Sequence, residues 1–333
     1  MLPLFARAGA AMIPGGSRLP WIGSASRGDG LPELTLVLEA ARVDPERLAD
    51  YDRVCRFPLR DRLPVTYPHL LAFPLQLSLM TDPDFPFPAL GLVHIANRIA
   101  QHRPIRISEA LRLKVWAADL RPHPRGTQFD LRSEAWVGEQ LVWEERSTIL
   151  RRGGSRSNLG GGSGESGGSR ADAEERHGGD APQSEERHGG GAPQSEERHG
   201  AGAPQSASAG GAGQQSEQTA LPPTATWRLP GDLGRRYASV SGDRNPIHLH
   251  PLSARLFGFP TAIVHGMWTK ARCLAALDPR LPEHFSVEVQ FRRPILLPAT
   301  VEFCEAEDAD GISFAVRGAG KGTPHLDGRV SFR

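Results

Sequence analysis

The run Tyr237-Ala238-Ser239-Val240-Ser241-Gly242-Asp243-Arg244-Asn245-Pro246-Ile247-His248 sets a carboxylate and an imidazole five residues apart. Their ordinary pKa values, about 3.9 and 6.5, let one group take a proton while the other gives one. Gly242 and Pro246 forbid an uninterrupted helix, in which positions i and i+5 would diverge by about 140° around the axis. On an irregular turn oriented by Asn245, Asp243 and His248 can instead point at one spot. Nothing in the motif marks a covalent nucleophile, and no third ligand nearby suggests zinc. Proton transfer to and from one water fits these residues, an effect worth about 10² to 10⁴ in rate.

A second signature follows at Ile263-Val264-His265-Gly266-Met267. Gly266 stands where a helix is expected to begin, and a helix start carries free N–H groups and partial positive charge. Without a Cβ, Gly266 lets a carbonyl approach the backbone closely. Such a donor stabilises an enolate-like oxygen by about 10² to 10³ in rate. Water addition across a double bond conjugated to a thioester needs both parts, a proton-transfer pair and a carbonyl anchor. His265 reads as a residue that fixes the helix entry, and His250 as an exposed one.

These residues need elements to hold them. In the second half, Ala225 to Leu229 reads as a strand and Leu233 to Ala238 as a helical turn. An apolar helix is expected from Gly266 to Leu277. Strands are expected at Phe285 to Phe291, Thr300 to Glu305, Ile312 to Val316 and Gly328 to Phe332, parted by Gly and Pro. The first half repeats the order, with a helix expected at about His94 to Ala100. Strands follow at Leu111 to Ala117, Phe129 to Trp136 and Leu141 to Leu150. One helix followed by antiparallel strands suggests a helix wrapped by a curved sheet, an α+β fold. Two copies can join sheets and cover each other's open edge.

Between the halves the composition collapses into Gly, Ser, Ala, Gln, Glu and Arg, with Ser-Glu-Glu-Arg-His-Gly starting at Ser184 and again at Ser195. Residues 151–221 therefore read as a disordered linker, since so few apolar side chains cannot offset the entropy of ordering. Its His177, His188 and His199 read as solvated. The expected domains are thus 1–150, a linker over 151–221, and 222–333. A net charge of +1 gives no grip on nucleic acid or an anionic membrane. No apolar run approaches the roughly 20 residues of a membrane span. Three scattered cysteines, Cys55, Cys273 and Cys304, suit a reducing compartment. The first 30 residues carry Arg7, Arg18 and Arg27 and no acid before Asp29, a weakly transit-like composition. They read as an arm packed on the first domain, and the cytoplasm as the location.

Tyr237 to His248, continued by Ala254, Gly258-Phe259 and Ile263 to Met267, resembles the hydratase-2 motif of the MaoC-like dehydratases. A softer likeness extends through Phe291 to Pro298. The resemblance implies a double hot-dog fold. It also implies interconversion of trans-2-enoyl and (R)-3-hydroxyacyl thioesters by syn addition of one water, without metal or organic cofactor. It assigns Asp243 and His248 to a catalytic dyad, Asn245 to its support and Gly266 to the carbonyl site. The substrate would be an acyl-CoA or acyl carrier protein thioester, and a homodimer is possible by the same resemblance. The first half resembles the family's non-catalytic copy. Leu92-Val93-His94-Ile95 aligns with Ile263 to Gly266, which sets Ala72 and Leu77 opposite the dyad and predicts one site per chain. Phe73, Leu75, Leu77 and Leu79 suit either an acyl tunnel or a core. Arg292 and Arg293 suit a carrier phosphate or a solvated flank. A thioesterase and a non-catalytic acyl-binding subunit stand as alternatives.

Overall fold

A computed structural model describes residues 30–89, 91–153 and 221–332. The N-terminal arm and nearly all of the repeat linker, with its three histidines, lie outside the described residues. Among the described residues, ten strands form one antiparallel sheet. In the first half they are β1 (Thr35–Ala41), β2 (Leu92–Gln101), β3 (Leu111–His123), β4 (Gly126–Val137) and β5 (Gln140–Arg152). In the second they are β6 (Pro223–Leu229), β7 (Phe285–Phe291), β8 (Ala299–Asp308), β9 (Gly311–Gly318) and β10 (Pro324–Phe332). Their order is β1-β3-β4-β5-β2-β7-β10-β9-β8-β6. Each half thus runs first, third, fourth, fifth, second strand from the outer edge inward. The halves join where β2 pairs with β7, from Ala96 opposite Gln290 to Gln101 opposite Phe285. Joining there removes two sheet edges at once.

Helices occupy the same places in both halves. The first half has α1 (Pro45–Cys55) and α2 (Tyr67–Met80), and the second has α3 (Leu233–Ser241), the short α4 (Pro246–Leu249) and α5 (Pro251–Arg255), and α6 (Gly266–Leu277). Asp44 starts α1, its carboxylate accepting from the Glu46 and Arg47 N–H groups, with Pro45 in the first turn. Leu48, Tyr51, Asp52 and Cys55 form its buried stripe. This stripe meets α3, where Tyr51 lies 6.2 Å from Tyr237, ring to ring. One apolar cluster runs through both halves and includes Tyr51, Ile99, Trp143, Tyr237, Trp268, Leu274 and Val287. This is the double hot-dog arrangement.

The first-half helix is not at His94 to Ala100; those residues lie in β2, and the helix is α2. Asn97, Ile99 and Gln101 of β2 face the helices, so polar side chains stand on the inner face and blur the alternation. Helix α2 carries apolar residues on every side and contains Pro74. It therefore lacks the one-sided stripe by which a helix is read. The correspondence of His94 with His265 falls with this, and Ala72 and Leu77 are not the counterparts of Asp243 and His248. Those counterparts lie between α1 and α2. Arg56 ends α1 in the left-handed conformation at φ 70°, as Gly242 ends α3 at φ 79°. Between Cys55 and Tyr67 the sequence holds no His, and its one Asp, Asp61, faces solvent beside Arg106. Tyr67 stands at the first helical position, where the second half has Gly266. Among the described residues no helix is long and apolar enough to cross a membrane.

Candidate active site

Helix α3 ends because Gly242 turns left-handed, its N–H closing on Ala238 O at 3.0 Å. The turn that follows is stitched by its own side chains. The Asp243 N–H donates to Ser241 Oγ at 3.1 Å, and the Asn245 N–H to Asp243 Oδ1 at 3.1 Å. Asn245 caps α4, its Oδ1 accepting from the Ile247 N–H. The short helix α4 then carries His248 into the interior. Its backbone passes so close to α3 that a Cβ on Gly234 would sit 2.0 Å from His248 O.

The second signature is tied to the first by main-chain bonds. The Ile263 N–H donates to Ile247 O at 3.1 Å, Val264 N–H to Ile295 O at 3.0 Å, and Leu297 N–H to Ala262 O at 2.8 Å. His248 Nδ1 lies 2.8 Å from Ile263 O. A carbonyl only accepts, so Nδ1 carries the proton and Nε2 of the neutral ring is left as the acceptor. His265 Nε2 likewise donates to Asp243 O at 3.1 Å. The two imidazoles stack at 3.6 Å between centroids. Asp243 Oδ2 lies 3.8 Å from His265 Nε2.

Burial lowers the pKa of His248, with Asp243 and the Ile263 carbonyl opposing it. Burial, then the neighbouring His248, holds His265 well below the ordinary imidazole range. Both rings are therefore neutral near pH 7, and His248 can serve as a base. Asp243, His248 and His265 each present a donor atom within 4.8 Å of the others. A single water at about 2.8 Å from each side can bridge such a gap. The same three groups are the one potential metal-binding cluster among the described residues.

Gly266 is the first residue of α6, and His265 precedes it in extended conformation. Its N–H has no partner within the helix, as at every helix start. A Cβ here would meet the Phe291 ring at 3.0 Å, so the ring lies directly on the glycine. All four residues singled out by sequence, Asp243, Asn245, His248 and Gly266, thus belong to one connected assembly. Arg292 pairs with Asp327 at 2.7 Å, and His250 is exposed and caps α5.

Residues 214–318 match the MaoC like domain. Over 304 residues the chain is 35% identical to 3-hydroxyacyl-thioester dehydratase X of Mycobacterium tuberculosis, covering 91% of each. The chain belongs to the MaoC-like dehydratase family. A crystal structure of HtdX from Mycobacterium tuberculosis matches with a TM-score of 0.66 at 33% identity, over 89% of this chain and 99% of that one. A MaoC-like dehydratase of Phytophthora capsici matches with a TM-score of 0.58, over 91% and 96%. At 17% identity that likeness concerns the fold alone. The family makes this chain a hydro-lyase.

In this MaoC-like dehydratase two contributors to the site escaped the sequence reading. Arg47 of α1 donates from Nε to Val240 O at 2.8 Å and from Nη2 to Ser241 O at 3.3 Å, bracing the end of α3 just before Asp243. Nothing in the sequence links residues that far apart. Gly234 is the other; it lies inside a short helix, and nothing local in the sequence shows that the His248 backbone passes over it.

Proposed function

We propose that the chain interconverts trans-2-enoyl and (R)-3-hydroxyacyl thioesters through Asp243 and His248 acting on one water. In the hydration direction His248 Nε2 draws a proton from the water as its oxygen bonds to C3, with Asp243 holding that water. The dyad returns one proton to C2, so atoms and charge balance over the cycle. Between the two events the thioester oxygen carries the negative charge, and the free N–H at Gly266 faces it. Dehydration is the same path reversed. The reaction is redox-neutral and calls for no metal or organic cofactor.

The observation that carries this reading is the His248 Nδ1 bond to Ile263 O at 2.8 Å. It leaves Nε2 as the working nitrogen and ties the dyad to the strand of chain that delivers Gly266. The 3-hydroxyacyl-thioester dehydratase of Mycobacterium tuberculosis supports a hydroxyacyl thioester as substrate, and the carrier in this proposal is coenzyme A or an acyl carrier protein. Domains over 1–150 and 222–333, one site per chain, pairing of two chains and a reducing, cytoplasmic setting complete the proposal. Buried free thiols at Cys55, Cys273 and Cys304 are in keeping with that setting.

Crotonyl-CoA tests the reaction class. Hydration removes the enoyl ultraviolet absorbance without releasing thiol, and chiral analysis should return the (R)-3-hydroxy product. Thiol release with the enoyl chromophore retained would make the chain a thioesterase instead.

A further inference from the structure

One turn beyond Gly266, helix α6 carries a lysine that solvent does not reach; Lys270 is fully buried. A buried ammonium is costly unless its donors are met. Lys270 has three oxygen partners for three N–H donors: the Asn97 side-chain oxygen in a short bond, Asn97 O at 3.4 Å and Val287 O at 3.3 Å. A neutral amine would turn its lone pair on one of these oxygens, so the geometry calls for the charged form.

Asn97 belongs to β2 of the first half, and it passes the interaction on. Its amide nitrogen donates to Glu145 Oε1 at 2.7 Å and to Ser147 Oγ at 3.0 Å. Glu145, also buried, accepts from His69 Nδ1 at 2.8 Å and from Gln76 Nε2 at 3.1 Å. The amide of Asn97 is thus oriented with its oxygen to the cation and its nitrogen to the anion. Among the described residues, Lys270 and the Val287 carbonyl are what the second half contributes to this chain of bonds. His94, next to the network, is held neutral, its pKa lowered to about 3 by burial and then by His69. Its ring packs on Phe291, which in turn covers Gly266.

We propose that Lys270 is a positioning residue: its ammonium locks helix α6 into a socket of Asn97 and Glu145 and so holds Gly266 at the substrate carbonyl. The inference rests on the reading of Gly266 as the carbonyl anchor. It gives the half without a dyad a part in catalysis. Lys270 and Gly266 lie one turn apart on the same helix face, so a loosened Lys270 moves the anchor directly.

Loss of the Lys270 proton breaks one of its three bonds. The charged groups whose fields reach it are Glu145 from β5 and Glu288 on the outer face of β7, which favour the ammonium, and Arg98 on the outer face of β2, which opposes it. Burial outweighs them and sets the pKa at about 7. Turnover should therefore fall as pH rises beyond that point.

Lys270→Met alone removes the cation while the buried Glu145 carboxylate keeps its bonds to His69, Gln76 and Asn97, so the test uses Lys270→Met with Glu145→Gln, which removes both charges at similar volume. The paired variant should fold and lose about 10- to 100-fold in kcat, the cost of a misplaced group. KM should change by less than about threefold, and the alkaline fall in kcat should vanish. Wild-type kcat, or an alkaline fall that persists, overturns the proposal. Amide exchange supplies an arm independent of activity. In the wild-type protein, exchange at residues 266–270 should slow, relative to its intrinsic pH dependence, between about pH 7 and 9, because opening restores Lys270 to an ordinary pKa of about 10.4 and must take up the proton that the closed socket has released. Unchanged protection overturns the proposal even if the paired variant does not fold. If the wild-type protein hydrates no enoyl thioester, the proposed function fails, while exchange still reports on the socket.

Discussion

Replacing Gly266 by alanine adds one methyl group at the start of α6, and two different consequences can be separated. The backbone is helical there, and alanine is the better helix former by up to about 1 kcal/mol. The methyl, however, would stand 3.0 Å from Phe291 Cε1 and 3.2 Å from Cδ1 and Cζ, so the ring must retreat by a few tenths of an ångström. Overpacking of this kind costs about 1 to 3 kcal/mol, which the helix gain reduces to about 0 to 2 kcal/mol. At about 2 to 4 °C per kcal/mol for a fold of this size, Tm falls by no more than roughly 8 °C. Catalysis should suffer far more, by about 10² to 10³ in kcat/KM, if the thioester oxygen needs close approach to this N–H. The assay is thermal unfolding and crotonyl-CoA hydration on Gly266→Ala, Phe291→Leu and the double variant. Phe291→Leu makes room for the methyl, so it should restore Tm without restoring the rate. A double variant within about fivefold of Phe291→Leu alone would refute the carbonyl role and leave Gly266 as a packing residue.

Gly234→Ala should be worse tolerated, because its methyl meets the rigid His248 carbonyl at 2.0 Å rather than a movable ring. A lowered Tm together with lost turnover is expected, and unchanged unfolding would contradict the close approach of α3 and α4. His248 titrated by NMR should show a pKa below 6.5, since burial lowers it. Asp243→Asn, which removes an opposing charge, should lower it further; a rise would be inconsistent with the assigned electrostatics. Asp52 is raised to about 7 by burial and then by Asp278. Its folded form keeps a proton that the unfolded chain, with a pKa of about 3.9, has already released, so stability drains away as pH climbs from about 4 to 7. Asp52→Asn should accordingly raise Tm at pH 8 and change it little at pH 4, with equal gains at both pH values counting against this account.

The second half was legible because its signals are local. Helix α6 and strand β7 have the predicted bounds, Gly266–Leu277 and Phe285–Phe291, since an apolar stripe and a clean alternation are written in consecutive residues. The candidate site's turn was legible for the same reason. Asp243, Asn245 and His248 lie within one turn-forming motif whose Gly and Pro dictate its shape. The first half hid its helix because α2 is surrounded by protein and apolar on all faces, while β2 turns Asn97 and Gln101 inward to meet the second half. Those inward polar residues make sense only beside Lys270 and the Glu283 carbonyl, partners more than 170 residues away. Arg47 on the carbonyls of Val240 and Ser241 is invisible to sequence in the same way.

The central claim is that Asp243 and His248 work as one unit on one water. Its most direct test is the rate of crotonyl-CoA hydration by Asp243→Asn, His248→Ala and the double variant, each checked for an intact fold by circular dichroism. Each single variant should lose about 10² to 10⁴ in kcat, and the double variant little more than the worse single one. Near-wild-type turnover by either folded single variant, or losses that simply multiply in the double, would contradict it.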